Sequence, residues 1–162
     1  MKRYILLPAI IFLIVITGCK KDEDNPASGD TSIVATEEWA AVMDGDSSNH
    51  GLHRFDKKSD GSITTTGTYY YNNQGTEVVC PFANGEVTVN DSNVVFTAKG
   101  TATNPAAPAG YQSSPFTFST IGVAKNGQAY GTYTIKFSTF GWPSEINGTF
   151  ISTKTKGSGI TK

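Results

Sequence analysis

The chain contains two histidines, His50 and His53, whose spacing could in principle offer a metal ion two imidazole ligands. Residues three apart share a face on a helix, whereas on a strand they point to opposite faces. The residues from 50 to 57 favour a strand, and a third histidine that could complete a zinc site is missing from the sequence. We therefore predict no metal site and no cofactor.

The segment from Asp44 to Asn49 places side-chain oxygens at alternate positions, as a calcium loop does. It resembles an EF-hand loop only in part. Asn49 stands where the sharp-turn glycine belongs, and Phe55 stands where the bidentate glutamate belongs. A turn stabilised by short polar side chains is the favoured interpretation, with a weak extracellular calcium site as the alternative.

The sequence lacks the motifs of common hydrolases and nucleotide-binding enzymes. It has no Gly-x-Ser-x-Gly elbow and no phosphate-binding glycine loop. Glu77, Glu86 and Glu145 are acids, but nothing in their spacing selects two of them as a hydrolytic pair. We predict that the protein is not an enzyme.

The N-terminus has the organisation of a leader peptide. Met1–Arg3 is basic, and Tyr4–Ile16 is an apolar run of 13 residues, shorter than the about 20 residues that span a bilayer. The run ends in Ile16-Thr17-Gly18-Cys19, which resembles the lipobox of bacterial lipoproteins. The resemblance implies that Cys19 carries a diacylglyceryl group and an acylated amino group. Two or more acyl chains hold a protein stably on a membrane.

A charged segment follows the lipobox. Lys21-Asp22-Glu23 resembles the surface-export signal of some Gram-negative lipoproteins, which implies the outer membrane and its cell-surface side. The alternative is a solvated linker in a periplasm-facing protein. Residues 20–30 contain no apolar run and read as a disordered tether with a typical reach of about 18 Å.

Three parts are therefore predicted: a signal peptide at 1–18, a lipidated cysteine with a flexible linker at 19–30, and a single domain at 31–162. Removing residues 1–18 takes away Lys2 and Arg3, which leaves 11 basic against 14 acidic residues, a formal charge of −3. This balance argues against a nucleic-acid partner. With Cys19 lipidated, Cys80 has no intrachain disulfide partner.

The domain is predicted to be all-β, an antiparallel meander of about eight strands. Asp60-Gly61, Asn84-Gly85 and Asn126-Gly127 are strong hairpin signals of type I′ turns. The predicted strands are His50–Lys57, Ser62–Tyr71, Thr76–Ala83, Glu86–Val89, Val94–Thr103, Pro115–Ala124, Gln128–Ser138 and Glu145–Thr155. Thr36–Met43 is ambiguous between a helix and a further strand.

The hairpin turns also predict register. A turn at Asn126-Gly127 places Phe118 opposite Ile135 and Phe116 opposite Phe137, with Tyr133 on the same face. A turn at Asn84-Gly85 would place Phe82 opposite Val87 and Cys80 opposite Val89. In both cases the apolar residues share one face, which gives Cys80 a core position.

Three Gly-Thr-aromatic sequences begin at Gly67, Gly131 and Gly148. Glycine with a nearby aromatic ring is typical of strongly curved sheets. This pattern favours an up-and-down barrel, and a β-sandwich is the alternative.

The pattern resembles the lipocalin barrel at the level of fold, and this resemblance implies a cup for a small apolar ligand. The residues that would face the cup are Tyr69, Phe116, Phe118, Tyr133, Ile135 and Phe137. The same residues form a core if the interior is packed. The alternative function is a surface module that binds protein or glycan through Tyr111 and Trp142, which lie in two loops longer than a hairpin needs.

Overall fold

The computed structural model describes residues 31–162, and their regular structure is entirely β. The strands are β1 (Ile33–Met43), β2 (Asp46–Lys58), β3 (Ile63–Asn73), β4 (Thr76–Asn90), β5 (Asn93–Thr103), β6 (Ser113–Lys125), β7 (Gln128–Phe137) and β8 (Glu145–Gly157). The predicted signal peptide at 1–18 and the lipidated linker at 19–30, Cys19 included, lie outside the described residues. Residues 31–162 include no helix long and apolar enough to cross a membrane.

Each strand pairs antiparallel with the next one in sequence, and β1 pairs with β8 to close the sheet. The predicted all-β meander of eight strands is confirmed, and it is a barrel rather than the alternative sandwich. Closure leaves no unpaired strand edge in the sheet formed by residues 33–157.

The first strand resolves the ambiguity at Thr36–Met43 in favour of β structure. Trp39, Ala41 and Met43 are buried in alternation, which is the period of a strand with one face on a core. The helical spacing of Trp39, Val42 and Met43 was misleading because Val42 lies on the outer face, 38% exposed.

The hairpin predicted at Asn84-Gly85 is wrong. Both residues lie inside the single strand β4, which replaces the two predicted strands Thr76–Ala83 and Glu86–Val89. The pairing with β5 shifts between Ala83 and Glu86, and Asn84 has φ of 54°, so the dipeptide forms a bulge. The expected pairs of Phe82 with Val87 and of Cys80 with Val89 do not form.

A hairpin and a bulge at Asn84-Gly85 both give a shared apolar face, so the sequence pattern could not distinguish them. Phe82 and Val87 are both buried. They are five positions apart, an odd number, so an uninterrupted strand would send them to opposite faces. A two-residue hairpin and a one-residue bulge both correct this parity. The choice is made by β3 and β5, which flank β4 on both sides of the bulge.

The hairpin at Asn126-Gly127 is confirmed, with φ of 54° and 74° at its two central residues. Its register gives the predicted pairs of Phe118 with Ile135 and of Phe116 with Phe137. The turn at Asp60-Gly61 is also present, although only Gly61 has positive φ, so it is not type I′.

The barrel interior is filled by side chains. Aromatic rings from β2, β3, β4, β5 and β7 pack around Phe118, which has no exposed surface. Inward-facing glycines let rings lie close to the backbone: Phe82 covers Gly67, and Phe116 covers Gly100. The interior void beside Trp39 and His53 measures about 30 Å³, room for one or two water molecules.

The two ends of the barrel differ. The proximal end is where β1 begins at Ile33, and it carries short turns and the C-terminal residues 158–162. The distal end carries two tight turns and two longer loops, 104–112 between β5 and β6 and 138–144 between β7 and β8. Ile33, where β1 begins, therefore lies at the end of the barrel opposite the two long loops.

Candidate functional site

The two long loops enclose a surface cleft of about 400 Å³ at the distal end, here called the distal cleft. Small-molecule sites typically measure about 300–1,000 Å³. The cleft is lined by Tyr71, Asn73, Asn104, Ala107, Pro108, Tyr111, Phe140, Gly141, Trp142 and Pro143. Both residues predicted as surface-binding, Tyr111 and Trp142, are among them.

Trp142 joins the two loops. Its Nε1 donates a hydrogen bond of 2.8 Å to the carbonyl oxygen of Tyr111. Its ring lies 5.2 Å from that of Phe137 at the rim of the core, and the side chain is half-buried. Trp142 therefore covers the barrel end and also presents a face to the cleft.

Tyr111 and Phe140 supply the exposed rings, with exposed fractions of 45% and 87%. Exposing large apolar side chains to water is energetically unfavourable, and adjacent exposed aromatic rings often mark a binding surface. Backbone hydrogen bonds hold the loops: Tyr111 N donates to Pro108 O at 2.9 Å, and Trp142 N donates to Thr139 O at 3.2 Å. The backbone of each loop that forms the cleft is therefore held by a hydrogen bond of its own.

The floor of the cleft comes from the barrel rim. Tyr71 ends the inward face of β3 and is 7% exposed, and its hydroxyl oxygen has no hydrogen-bond partner among the described residues. Asn104 is also buried, and its Oδ1 accepts a 3.0 Å hydrogen bond from Ala106 N. Neither residue could be assigned to a site from the sequence, because their partners in the cleft, Tyr111 and Trp142, come from loops elsewhere in the chain.

The six candidate cup residues are all brought together in the interior, where they pack against one another: Tyr69, Phe116, Phe118, Tyr133, Ile135 and Phe137. Burial raises the pKa of Tyr69, and the Tyr69 and Tyr133 hydroxyls lie 3.4 Å apart. With a void of about 30 Å³, this interior has no room for an apolar ligand of ordinary size.

A second polar cluster lies at the proximal end around Glu37, which has no exposed surface. Its carboxylate accepts hydrogen bonds from Lys154 Nζ at 2.8 Å, Ile160 N and Thr161 N at 3.1 Å, and Thr161 Oγ1 at 2.9 Å. Burial alone would raise the pKa of Glu37, but these donors outweigh it and hold the pKa below its usual value. The C-terminal residues are thereby fixed across the barrel opening.

The remaining residues that could do chemistry are held in structural contacts. His50 and His53 lie on opposite faces of β2, as predicted. His50 stacks on Tyr70 at 4.6 Å, and burial lowers the pKa of His53 to about 4. Asp44 sits in the β1–β2 turn, where Tyr133 Oη donates to it at 2.7 Å and Thr149 N at 2.7 Å. Cys80 faces the core as predicted, and burial raises its pKa to about 12.

No family model matches the chain, and the searches of curated proteins and of solved structures likewise found no match. The function is therefore argued from the geometry of this molecule.

Proposed function

We propose that the protein is a bacterial lipoprotein, anchored to the outer membrane through Cys19, that acts without catalysis as a binding module for a protein or glycan. The barrel is the scaffold, and the distal cleft is the binding site. The observation that carries the proposal is the position of Tyr111 and Trp142, which meet in one cleft.

The orientation of the barrel supports this function. The chain leads into β1 at the proximal end, and the cleft lies beyond the other end of that 11-residue strand. At ~3.3 Å per residue this is roughly 35 Å of strand. A lipid on Cys19 would hold the proximal end near the bilayer and leave the cleft facing away from it.

The packed interior favours this function over the storage of a small apolar ligand inside the barrel. A void of about 30 Å³ would have to grow by an order of magnitude to reach the volume of an ordinary ligand site. That growth would separate the stacked rings around Phe118, which a close-packed core resists.

The test compares the wild-type full-length chain with Tyr111→Ala and Trp142→Ala on vesicles, against arrays of oligosaccharides and extracellular proteins. Tyr130→Ala is the matched control, because Tyr130 is an exposed tyrosine, 61%, on the outer wall. We expect the two cleft variants to lose binding at least tenfold and the control to keep it. Binding that survives both cleft variants would overturn the proposal.

The anchor is tested separately with Cys19→Ala. In cells fed labelled fatty acid, we expect label in the wild-type chain and none in the variant, which should also leave the membrane fraction. Equal label in both chains would contradict lipidation at Cys19.

A further inference from the structure

The walls and the floor of the distal cleft differ in chemistry. The more exposed lining residues, taken as the walls, include the rings of Tyr111, Phe140 and Trp142, and the buried ones, taken as the floor, are Tyr71 and Asn104. A ligand that suits this cleft therefore has an apolar face toward the rings and a polar group toward the floor.

The Tyr71 hydroxyl is the second observation that points to a ligand. A buried polar group without a partner costs about 1–3 kcal/mol. Of the four such groups among the described residues, the Tyr71 hydroxyl alone belongs to a residue that lines the distal cleft. The ring could be held equally well by phenylalanine, since its neighbours Tyr69 and Phe137 contact it through their rings at 6.0 and 6.2 Å. An unpaired hydroxyl at the floor of a cleft is explained if a ligand supplies its partner.

The cleft carries no charge. Its lining residues include no aspartate, glutamate, lysine, arginine or histidine. Recognition of phosphate, carboxylate or ammonium groups relies on ion pairs or charge-assisted hydrogen bonds. The ligand that fits this lining is neutral.

We propose that the distal cleft binds a neutral saccharide, with the C–H face of a pyranose ring on the exposed aromatic side chains and a sugar hydroxyl paired with Tyr71 Oη. This proposal rests on the proposed function, since it names the partner class of the same cleft. The hydroxyl is covered in the structure, so binding requires a small movement of the side chains above it.

A protein partner suits the cleft less well. Extended peptides commonly bind by adding a strand to an open sheet edge, and the closed sheet of residues 33–157 has none. Helical peptides need a long apolar groove, whereas this cleft is a compact concavity of about 400 Å³.

The test titrates maltose, cellobiose, N,N′-diacetylchitobiose and glucuronic acid into the full-length protein and follows tryptophan emission. Trp142 reports from the cleft, so the change should vanish in Trp142→Phe. Tyr71→Phe removes a single oxygen, and Tyr130→Phe makes the same change on the outer wall. We expect a neutral saccharide to bind, Tyr71→Phe to weaken it about three- to tenfold, and Tyr130→Phe to leave it unchanged.

Other outcomes separate the two proposals. Protein binding that depends on Tyr111 and Trp142, with no response to any neutral sugar, would overturn the saccharide proposal and leave the binding module intact. Preferential binding of glucuronic acid, or equal affinity of Tyr71→Phe and wild type, would also overturn it. Tyr71→Phe should fold at least as stably as wild type, because it removes an unpaired buried group.

Discussion

Glu37 and Lys154 form an ion pair of 2.8 Å beneath the proximal opening of the barrel, where the glutamate side chain has no exposed surface. Lys154 also lies 5.4 Å from the centre of the Trp39 ring. Removing one partner of a buried pair leaves an uncompensated charge. We expect Glu37→Gln to lower the free energy of unfolding by about 2–4 kcal/mol, measured by urea denaturation at pH 7.

Glu38→Gln is the control for that prediction. Glu38 is the neighbouring residue, and it meets Lys156 at 3.9 Å with both side chains exposed, 42% and 76%. Exposed pairs contribute about 0–1 kcal/mol, so this variant should unfold nearly as the wild type does. Equal effects of the two substitutions would show that the cluster around Glu37 is not buried in solution.

The same cluster predicts how stability depends on pH. The folded state holds the pKa of Glu37 below its usual value, so the unfolded chain binds the proton more readily. The stabilisation is complete above the ordinary glutamate pKa and is lost as pH falls through the folded pKa. We expect the difference between wild type and Glu37→Gln to shrink between pH 6 and pH 3. A difference that grows on acidification would contradict the lowered pKa.

The C-terminal residues should contribute to stability despite their position at the chain end. A chain ending at Gly157 loses the donors of Ile160 and Thr161 to Glu37. Each hydrogen bond to a charged group is worth about 1.5–3 kcal/mol, so we expect a loss of at least ~2 kcal/mol in urea denaturation. Lys162→Ala, which removes an exposed pair with Asp91, should change stability by less than about 0.5 kcal/mol.

The Cys80 thiol should be unreactive in the folded protein. Burial raises its pKa to about 12, and thiolates are the reactive form. We expect Cys80 not to react with a thiol reagent in native buffer and to react fully in denaturant. The proposed lipid would block the Cys19 thiol, so protein from membranes should then show one thiol and protein made in vitro should show two. Two thiols in the membrane-derived protein would contradict the lipid anchor.

The two tryptophans should differ in their access to solvent. Trp39 is 3% exposed, whereas Trp142 is half-buried at the cleft. We expect acrylamide to quench the wild-type emission in two components and to lose the accessible one in Trp142→Phe. Unchanged quenching in that variant would mean that the cleft is closed in solution.

The bulge in β4 can be tested by two substitutions at adjacent positions. A Cβ at Gly85 would meet the side chains of Ala98 and Thr65 at 2.7 Å. We expect Gly85→Ala to destabilise the protein by about 1–3 kcal/mol. Asn84→Gly should be nearly neutral, since Asn84 already has φ of 54°. In a hairpin at this position, Gly85 would be a turn residue without these contacts. Gly85→Ala would then cost no more than the same substitution in any other turn.

The sequence by itself determined most of the strands and turns, because these depend on neighbouring residues. Asn126-Gly127 imposes a turn through its backbone preferences, and the alternation around it sets the pairing of Phe118 with Ile135. Alternation along a strand likewise separated His50 from His53 and placed Cys80 on the core face, although the hairpin used for the register of Cys80 does not form.

The tertiary structure decided what depends on residues distant in the chain. Asn84-Gly85 has the local preferences of a turn, but its flanking segments gain more by continuing as one strand between β3 and β5. From the sequence alone, Glu37 would be expected on the surface. It is buried because backbone donors more than 120 positions away in the chain bind its carboxylate. The distal cleft, likewise, exists only where Trp142 meets the Tyr111 carbonyl. Burial and hydrogen-bond pairing are properties of the closed barrel, and no short segment encodes them.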